Sequence, residues 1–170
     1  MIVLEPITEA SVALFKAVRL RALQDSPGAF GSNYAWESQL EDAEWMKRIG
    51  RWSGSTGVGY LAMDQGTPCG IAGCLLYEGD PTLAQLISMW IAPTHRQIGV
   101  GRLLVEQVIL WARSRGALRL QLHVTGRNEP AIKFYKRLGF AFTGNTIPYP
   151  NDPTEIEREM ELAIADKTGA

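Results

Sequence analysis

Between His95 and Gln107 the chain reads HRQIGVGRLLVEQ, a short glycine-containing turn set ahead of a helix-like run. A helix N-terminus leaves backbone amides without acceptors and carries partial positive charge. Glycines in the preceding turn let a ligand come close to those amides. Arg96 and Arg102 add charge-assisted hydrogen bonds of the kind that phosphate takes. The chemistry expected of Arg96, Gln97, Ile98, Gly99, Val100, Gly101 and Arg102 is anion holding, with a pyrophosphate as the natural guest.

The spacing excludes two common owners of such a group. A dinucleotide fingerprint needs a third glycine where this chain has Leu104. A nucleoside-triphosphate loop needs Lys and Ser or Thr after its last glycine, and here Gly101 is followed by Arg102 and Leu103. No metal is implied, because the two histidines and two cysteines occur at no ligand spacing. Cys69 and Cys74 are five apart in one apolar segment and so face opposite sides of a strand, which reads as two free, reduced thiols.

The elements around the turn follow from periodicity. Residues 1–7 read as a strand, 10–23 as a helix with Thr8 or Ser11 as its cap, and 36–49 as a second helix. Strands are expected over 58–63, 70–77 and 84–91, separated by the turn signals DQGTP and EGDP. Connections that short imply antiparallel pairing. Residues 102–115 form the clearest helix, with Leu104, Val108 and Trp111 facing inward and Gly116 as its stop. A strand over 118–124, a helix over 130–138, and strands over 140–143 and 157–163 complete the order. The strand at 84–91, the helix after the glycine turn and the strand at 118–124 make one crossover unit, so those two strands are expected to be parallel. A turn placed after an antiparallel meander also argues against a Rossmann arrangement.

Bulk composition agrees with one domain over residues 1–170: 46% of the 170 residues are hydrophobic and 21% charged. Seventeen Lys and Arg against eighteen Asp and Glu leave no basic surplus, so no nucleic-acid partner is expected. The N-terminal apolar run meets Glu5 too early for a secretory signal, and no stretch approaches a membrane span. A cytoplasmic protein without a membrane partner is expected.

The sequence then supplies a second block. NEPAIKFYKRLGF carries Asn128, Ala131, Tyr135, Gly139 and Phe140. Together with Arg96-x-x-Gly99-x-Gly101 after a strand ending in WIAP, it resembles the GNAT superfamily of acyl-CoA-dependent N-acetyltransferases. The likeness extends over the order of elements, roughly residues 2–162. Gln97 departs from the pattern, since many members carry Gly there. The resemblance implies an α/β (α+β) fold: a mixed, mostly antiparallel central sheet of about seven strands, flanked by about four helices, with strands 4 and 5 parallel and splayed.

It also implies a co-substrate, acetyl-CoA, and roles for particular residues. The turn from Gln97 to Arg102 would take the pyrophosphate. The pantetheine arm would pair like an added strand with the backbone of Met89, Trp90 and Ile91, and an amide of Trp90 or Ile91 would polarise the thioester carbonyl. Tyr135 is the phenol that would protonate the departing thiolate. Asn128 either bonds the pantetheine arm or fixes the strand end, or caps the helix that opens at Pro130. The proton acceptor for the amine stays open among Glu37, Glu78, Asp80 and His123, with a water chain as the remaining route.

The acceptor is expected between residues 26–37 and 144–153, where Phe30, Tyr34, Trp36 and Tyr149 give an aromatic, weakly charged wall. That favours a small or amphipathic amine, an amino acid or a protein N-terminus over a polycation. The competing class is a non-catalytic acyl-CoA-binding sensor or interaction module. Family members often pair as homodimers through late strands or helices.

Overall fold

The protein, described over residues 1–166 in a computed structural model, is built on one seven-stranded sheet. The strands are β1 (Ile2–Pro6), β2 (Gly57–Asp64), β3 (Thr67–Tyr77), β4 (Asp80–Ile91), β5 (Arg119–Thr125), β6 (Ala141–Tyr149) and β7 (Asp152–Ala163). They lie in the order β1-β2-β3-β4-β5-β7-β6. Among the described residues, only β4 and β5 are parallel neighbours. The helices are α1 (Val12–Asp25), α2 (Tyr34–Glu37), α3 (Asp42–Gly50), α4 (Val100–Ser114) and α5 (Glu129–Arg137). None of the described helices is long and apolar enough to cross a membrane.

Glycines show which face each helix covers. Gly70 and Gly73 lie three apart on β3, so they face opposite sides of the sheet. A Cβ on Gly70 would sit 3.2 Å from Leu104 of α4, whereas one on Gly73 would run into the ring of Trp52. Trp52 meets Phe15 of α1 edge-on at 5.0 Å. Thus α4 covers one face, and α1 with Trp52 covers the other. Leu104 and Val108 of α4 are fully buried, contributing about 1.5–3 kcal/mol each. The stripe continues through Val105 and Ala112, while Trp111, expected to face inward, is half-buried and lies beside Arg115.

Two expected elements are corrected. The single helix over 36–49 is two helices, broken at 38–41, because Asn33 caps the first through Trp36 N at 2.9 Å and Glu41 starts the second. The stretch 144–153, expected as a loop, is mostly strand: β6 and β7 form a long hairpin that turns after Tyr149. Its tip is pinned where Tyr149 donates its hydroxyl to Phe30 O at 2.6 Å.

The feature that matters most for function is the seam between β4 and β5. Their pairing covers only Leu83–Arg119, Ala84–Leu120 and Gln85–Gln121. Beyond it β4 bulges: Ser88 and Met89 together oppose Ala72, and Ser88 sits at φ 57°. A bulge bends its strand and ends regular pairing. The two strands part there, and the sheet opens.

Candidate active site

The gap left by the parting strands is a cavity of about 420 Å³. β4 contributes Gln85 to Met89, β5 contributes Leu122 to Thr125, and α5 closes one end with Tyr135. Of the three strand residues expected to hold an acyl-CoA arm, Met89 lines this cavity. Trp90 is 3% exposed and donates its indole N–H to Asp25 at 3.0 Å, and Ile91 pairs with Gly70. The bulge therefore sets Ser88 and Met89 at the wall and carries Trp90 and Ile91 farther along the strand.

Tyr135 is buried, its ring packed against Phe134 at 5.1 Å and Phe140 at 5.6 Å. Its hydroxyl takes no hydrogen bond from the described residues. Burial pushes its pKa above the usual phenol value, which keeps the proton on oxygen at any physiological pH. Asn128 performs the capping role, accepting from Ala131 N at 3.3 Å, and lines the cavity as well.

On the β5–β7 face lies an acidic group that the sequence reading did not single out. Arg119, Gln121, His123 and Thr125 alternate with the buried Leu120, Leu122 and Val124. Across the ladder, Thr125 pairs with Glu157, His123 with Glu159 and Gln121 with Glu161. His123 sits between two partners: Nδ1 is 3.4 Å from Gln85 Nε2, and Nε2 is 3.5 Å from Glu159 Oε2. Glu157 and His123 both line the cavity. Burial raises the pKa of Glu157, and the nearby charge of His123 only partly offsets this. A carboxylate with a raised pKa is a better proton acceptor near neutral pH. The signal in the sequence is Glu155, Glu157, Glu159 and Glu161 at a period of two, an acidic strand face that needs positive neighbours or a task.

The earlier candidates for proton acceptor fare differently. Glu78 and Asp80 do not line the cavity, and Asp80 is engaged by Thr82 and Arg119. Glu37 is fully buried under an ion-pair cluster: Arg19 Nε lies 3.0 Å from Oε2, Arg19 Nη2 lies 2.9 Å from Oε1, and Arg48 Nη1 lies 3.1 Å from Oε2. Burial opposes its charge, but the bonds and charges of the two arginines outweigh that and hold its pKa below the usual carboxylate value. Such a group accepts protons poorly.

At the glycine turn, Gly99 caps α4 at φ 94°, and Gln97 also takes a left-handed conformation at φ 64°. The first helical bond runs from Leu103 N to Gly99 O at 3.1 Å. The amides of Val100, Gly101 and Arg102 are left without helical acceptors at the positive end of the helix. Gly101 has a second reason to be glycine, since a Cβ there would lie 2.9 Å from the Phe134 ring. Both arginines are already engaged: Arg96 donates to Ile91 O at 2.9 Å and pairs with Asp25, and Arg102 pairs with Glu106 at 3.0 Å. The backbone amides are thus the groups left uncommitted at the start of α4. Among the described residues, no cluster of His, Cys, Asp or Glu is arranged to hold a metal ion.

Comparison with known proteins agrees with this geometry. A 75-residue stretch is 52% identical to the streptothricin acetyltransferase of Streptomyces lavendulae, covering 44% of this chain and 40% of that protein. The chain spans less than half the length of the first curated relatives it matches. The uncharacterised N-acetyltransferase YdgE of Bacillus subtilis is 29% identical over 147 residues, 82% of this chain and 92% of its own. An acetyltransferase of the GNAT family from Streptococcus pneumoniae superposes with a TM-score of 0.81 at 22% identity, over 97% of this chain and 100% of its own. Residues 20–140 match the model of the acetyltransferase (GNAT) family, and with most of its length so matched the chain belongs to that family.

Proposed function

We propose that the protein transfers the acetyl group of acetyl-CoA to a primary amine of a small molecule, by direct attack on the thioester. The observation that carries this reading is the convergence of Tyr135, Glu157 and His123 on one cavity where β4 and β5 part. The free amides at the start of α4 suit the pyrophosphate, and the unpaired edge of β4 beyond Gln85 suits the amide-bearing arm.

The roles follow from proton balance. An alkylammonium has a pKa near 10.4 and no free electron pair, so a proton must leave it before attack. Glu157 takes that proton, directly or through water, with His123 beside it. The nitrogen then forms a bond to the carbonyl carbon, and the carbon–sulfur bond breaks. The leaving thiolate, of ordinary pKa about 8.5, takes a proton from the Tyr135 hydroxyl. Backbone amides at the Ser88–Met89 bulge, which lines the cavity, would polarise the carbonyl. The family name and the likeness to streptothricin acetyltransferase support acetyl transfer without naming the acceptor. Two unpaired, buried cysteines accord with a cytoplasmic setting.

The test is release of free CoA from acetyl-CoA across a broad panel of amines, with Tyr135→Phe alongside. Amine-dependent release that falls in the variant supports the transferase. Tight acetyl-CoA binding with no release on any amine would assign the chain to acyl-CoA sensing instead.

A further inference from the structure

A second cavity, of about 220 Å³, adjoins the first, and Arg19, Ser32, Ile87 and Ser88 line both. Its remaining wall includes Trp36, Glu37, Arg48, Arg51 and Trp52. Three arginines therefore face it against one carboxylate. Arg19 commits Nε and Nη2 to Glu37 and turns Nη1 to Ser88 Oγ at 3.5 Å. Arg48 gives only Nη1 to Glu37, and its guanidinium is held over the rings of Trp36 at 5.6 Å and Trp45 at 5.2 Å. The Arg51 side chain takes no hydrogen bond or ion pair from the described residues. The cavity keeps two uncompensated positive charges and several unspent guanidinium donors.

Guanidinium groups bind carboxylates at two points with matched geometry. The first cavity presents the opposite sign at Glu157, which lies beyond the Ser88 bulge. An acceptor crossing from one cavity to the other meets positive charge at one end and a carboxylate at the other. A polycation would be repelled by the first, and a plain alkylamine would leave Arg51 without a partner and Arg48 with the shared Glu37 carboxylate alone.

We infer that the acceptor is an amine carrying a carboxylate, an amino acid, whose carboxylate pairs with Arg48 and Arg51 while its amine reaches past Ser88 toward the thioester. This rests on the acetyltransferase reading and adds the class of its substrate. Trp36 and Trp52 flank the carboxylate end and favour an acceptor with some apolar body.

The experiment measures CoA release from acetyl-CoA with α- and ω-amino acids, each beside its own carboxamide, and with a polycationic aminoglycoside. The carboxamide gives up its ammonium proton more readily, so an intrinsic advantage would run against the acid. The expected result is at least one amino acid with a kcat/KM about tenfold or more above its amide. Arg51→Gln should shrink that ratio by about tenfold, mainly through KM, and Arg51→Glu should reverse it. The Arg51 side chain is exposed and takes no bond from the described residues, so both variants should fold, and a matching far-ultraviolet circular dichroism spectrum checks this. Arg48→Gln provides a second variant with the same expected direction. Amides or the aminoglycoside used as well as or better than the acids, with no dependence on Arg51, would overturn the inference and leave the transferase standing. No release with any amine would overturn both.

Discussion

Arg19 and Glu37 form a two-point ion pair, 2.9 and 3.0 Å long, with the carboxylate wholly shielded from solvent. Arg48 shares the same carboxylate. The pair joins α1 to α2 at the border of the two cavities. Glu37→Gln leaves two half-buried guanidinium groups facing each other, and loss of one partner of a buried pair costs about 3–5 kcal/mol. The melting temperature should fall by many degrees. Because the folded pKa of Glu37 is depressed, its contribution is complete above the ordinary carboxylate pKa and is lost as pH falls through the depressed value. Acid unfolding of the Glu37→Gln variant should therefore depend less steeply on pH, as read by fluorescence-monitored titration.

Tyr135→Phe removes a hydroxyl without a described protein partner and keeps the ring that packs on Phe134 and Phe140. Stability should change by less than about 0.5 kcal/mol. Turnover at saturating acceptor should fall about 100-fold if the phenol is the general acid. An unchanged kcat would remove Tyr135 from the chemistry.

Glu157 carries a raised pKa because it is buried, with the charge of His123 opposing the rise. As a base it works only when ionised, so kcat/KM should climb with pH through a value above the ordinary 4.3 of a glutamate. Glu157→Gln should lower kcat/KM about 100-fold and remove one proton from the slope of the acid limb. A variant with the wild-type slope would mean that the amine loses its proton elsewhere.

Gly101 and Phe134 are locked together by the absence of a Cβ. Gly101→Ala should destabilise by about 1–3 kcal/mol and weaken acetyl-CoA binding, because the start of α4 must move. Phe134→Leu in the same chain opens the space, and the double variant should recover most of the lost melting temperature. Additive losses would place the strain in the backbone instead.

Cys69 and Cys74 are buried and unpaired, and burial pushes the Cys74 thiol up to about 12 and the Cys69 thiol in the same direction. Thiolates are the reactive form. A thiol-reactive disulfide reagent should find no group in the native protein and two after denaturation, so the same reagent can follow CoA release without background. Rapid reaction of the native protein would show that β3 opens locally.

The sequence made the order of elements legible because each apolar run keeps its period and each turn carries Gly, Pro or Asp. It also carried the glycine turn ahead of α4 and the helix that presents Tyr135, since both depend on residues close together in the chain. The break between α2 and α3 was harder, because Asn33 and Glu41 cap helices only once their side chains or backbones are placed. The reach of the β6–β7 hairpin was hidden by Gly144, Pro148 and Pro150, which read as loop residues; the first two are tolerated in an outer strand of the sheet, and Pro150 sits in the turn. Glu157, Ser88 and Arg51 could not be grouped from the sequence. They come from β7, β4 and the end of α3, and only the sheet order and the bulge bring them to adjoining cavities.

The short β4–β5 seam has a consequence for how the molecule coheres. In the sheet ladder, three residue pairs join β4 to β5 among the described residues, and α4, the Arg119–Asp80 ion pair and the Tyr149–Phe30 bond tie the two halves together around it. An extended amide-bearing molecule laid along the open part would act as a surrogate strand and close the hydrogen-bond ladder. Folding and occupancy are then thermodynamically linked: the melting point rises with ligand concentration, and amide exchange slows first at Ile87 to Ile91. In this protein the substrate would be part of the scaffold for as long as it stays bound.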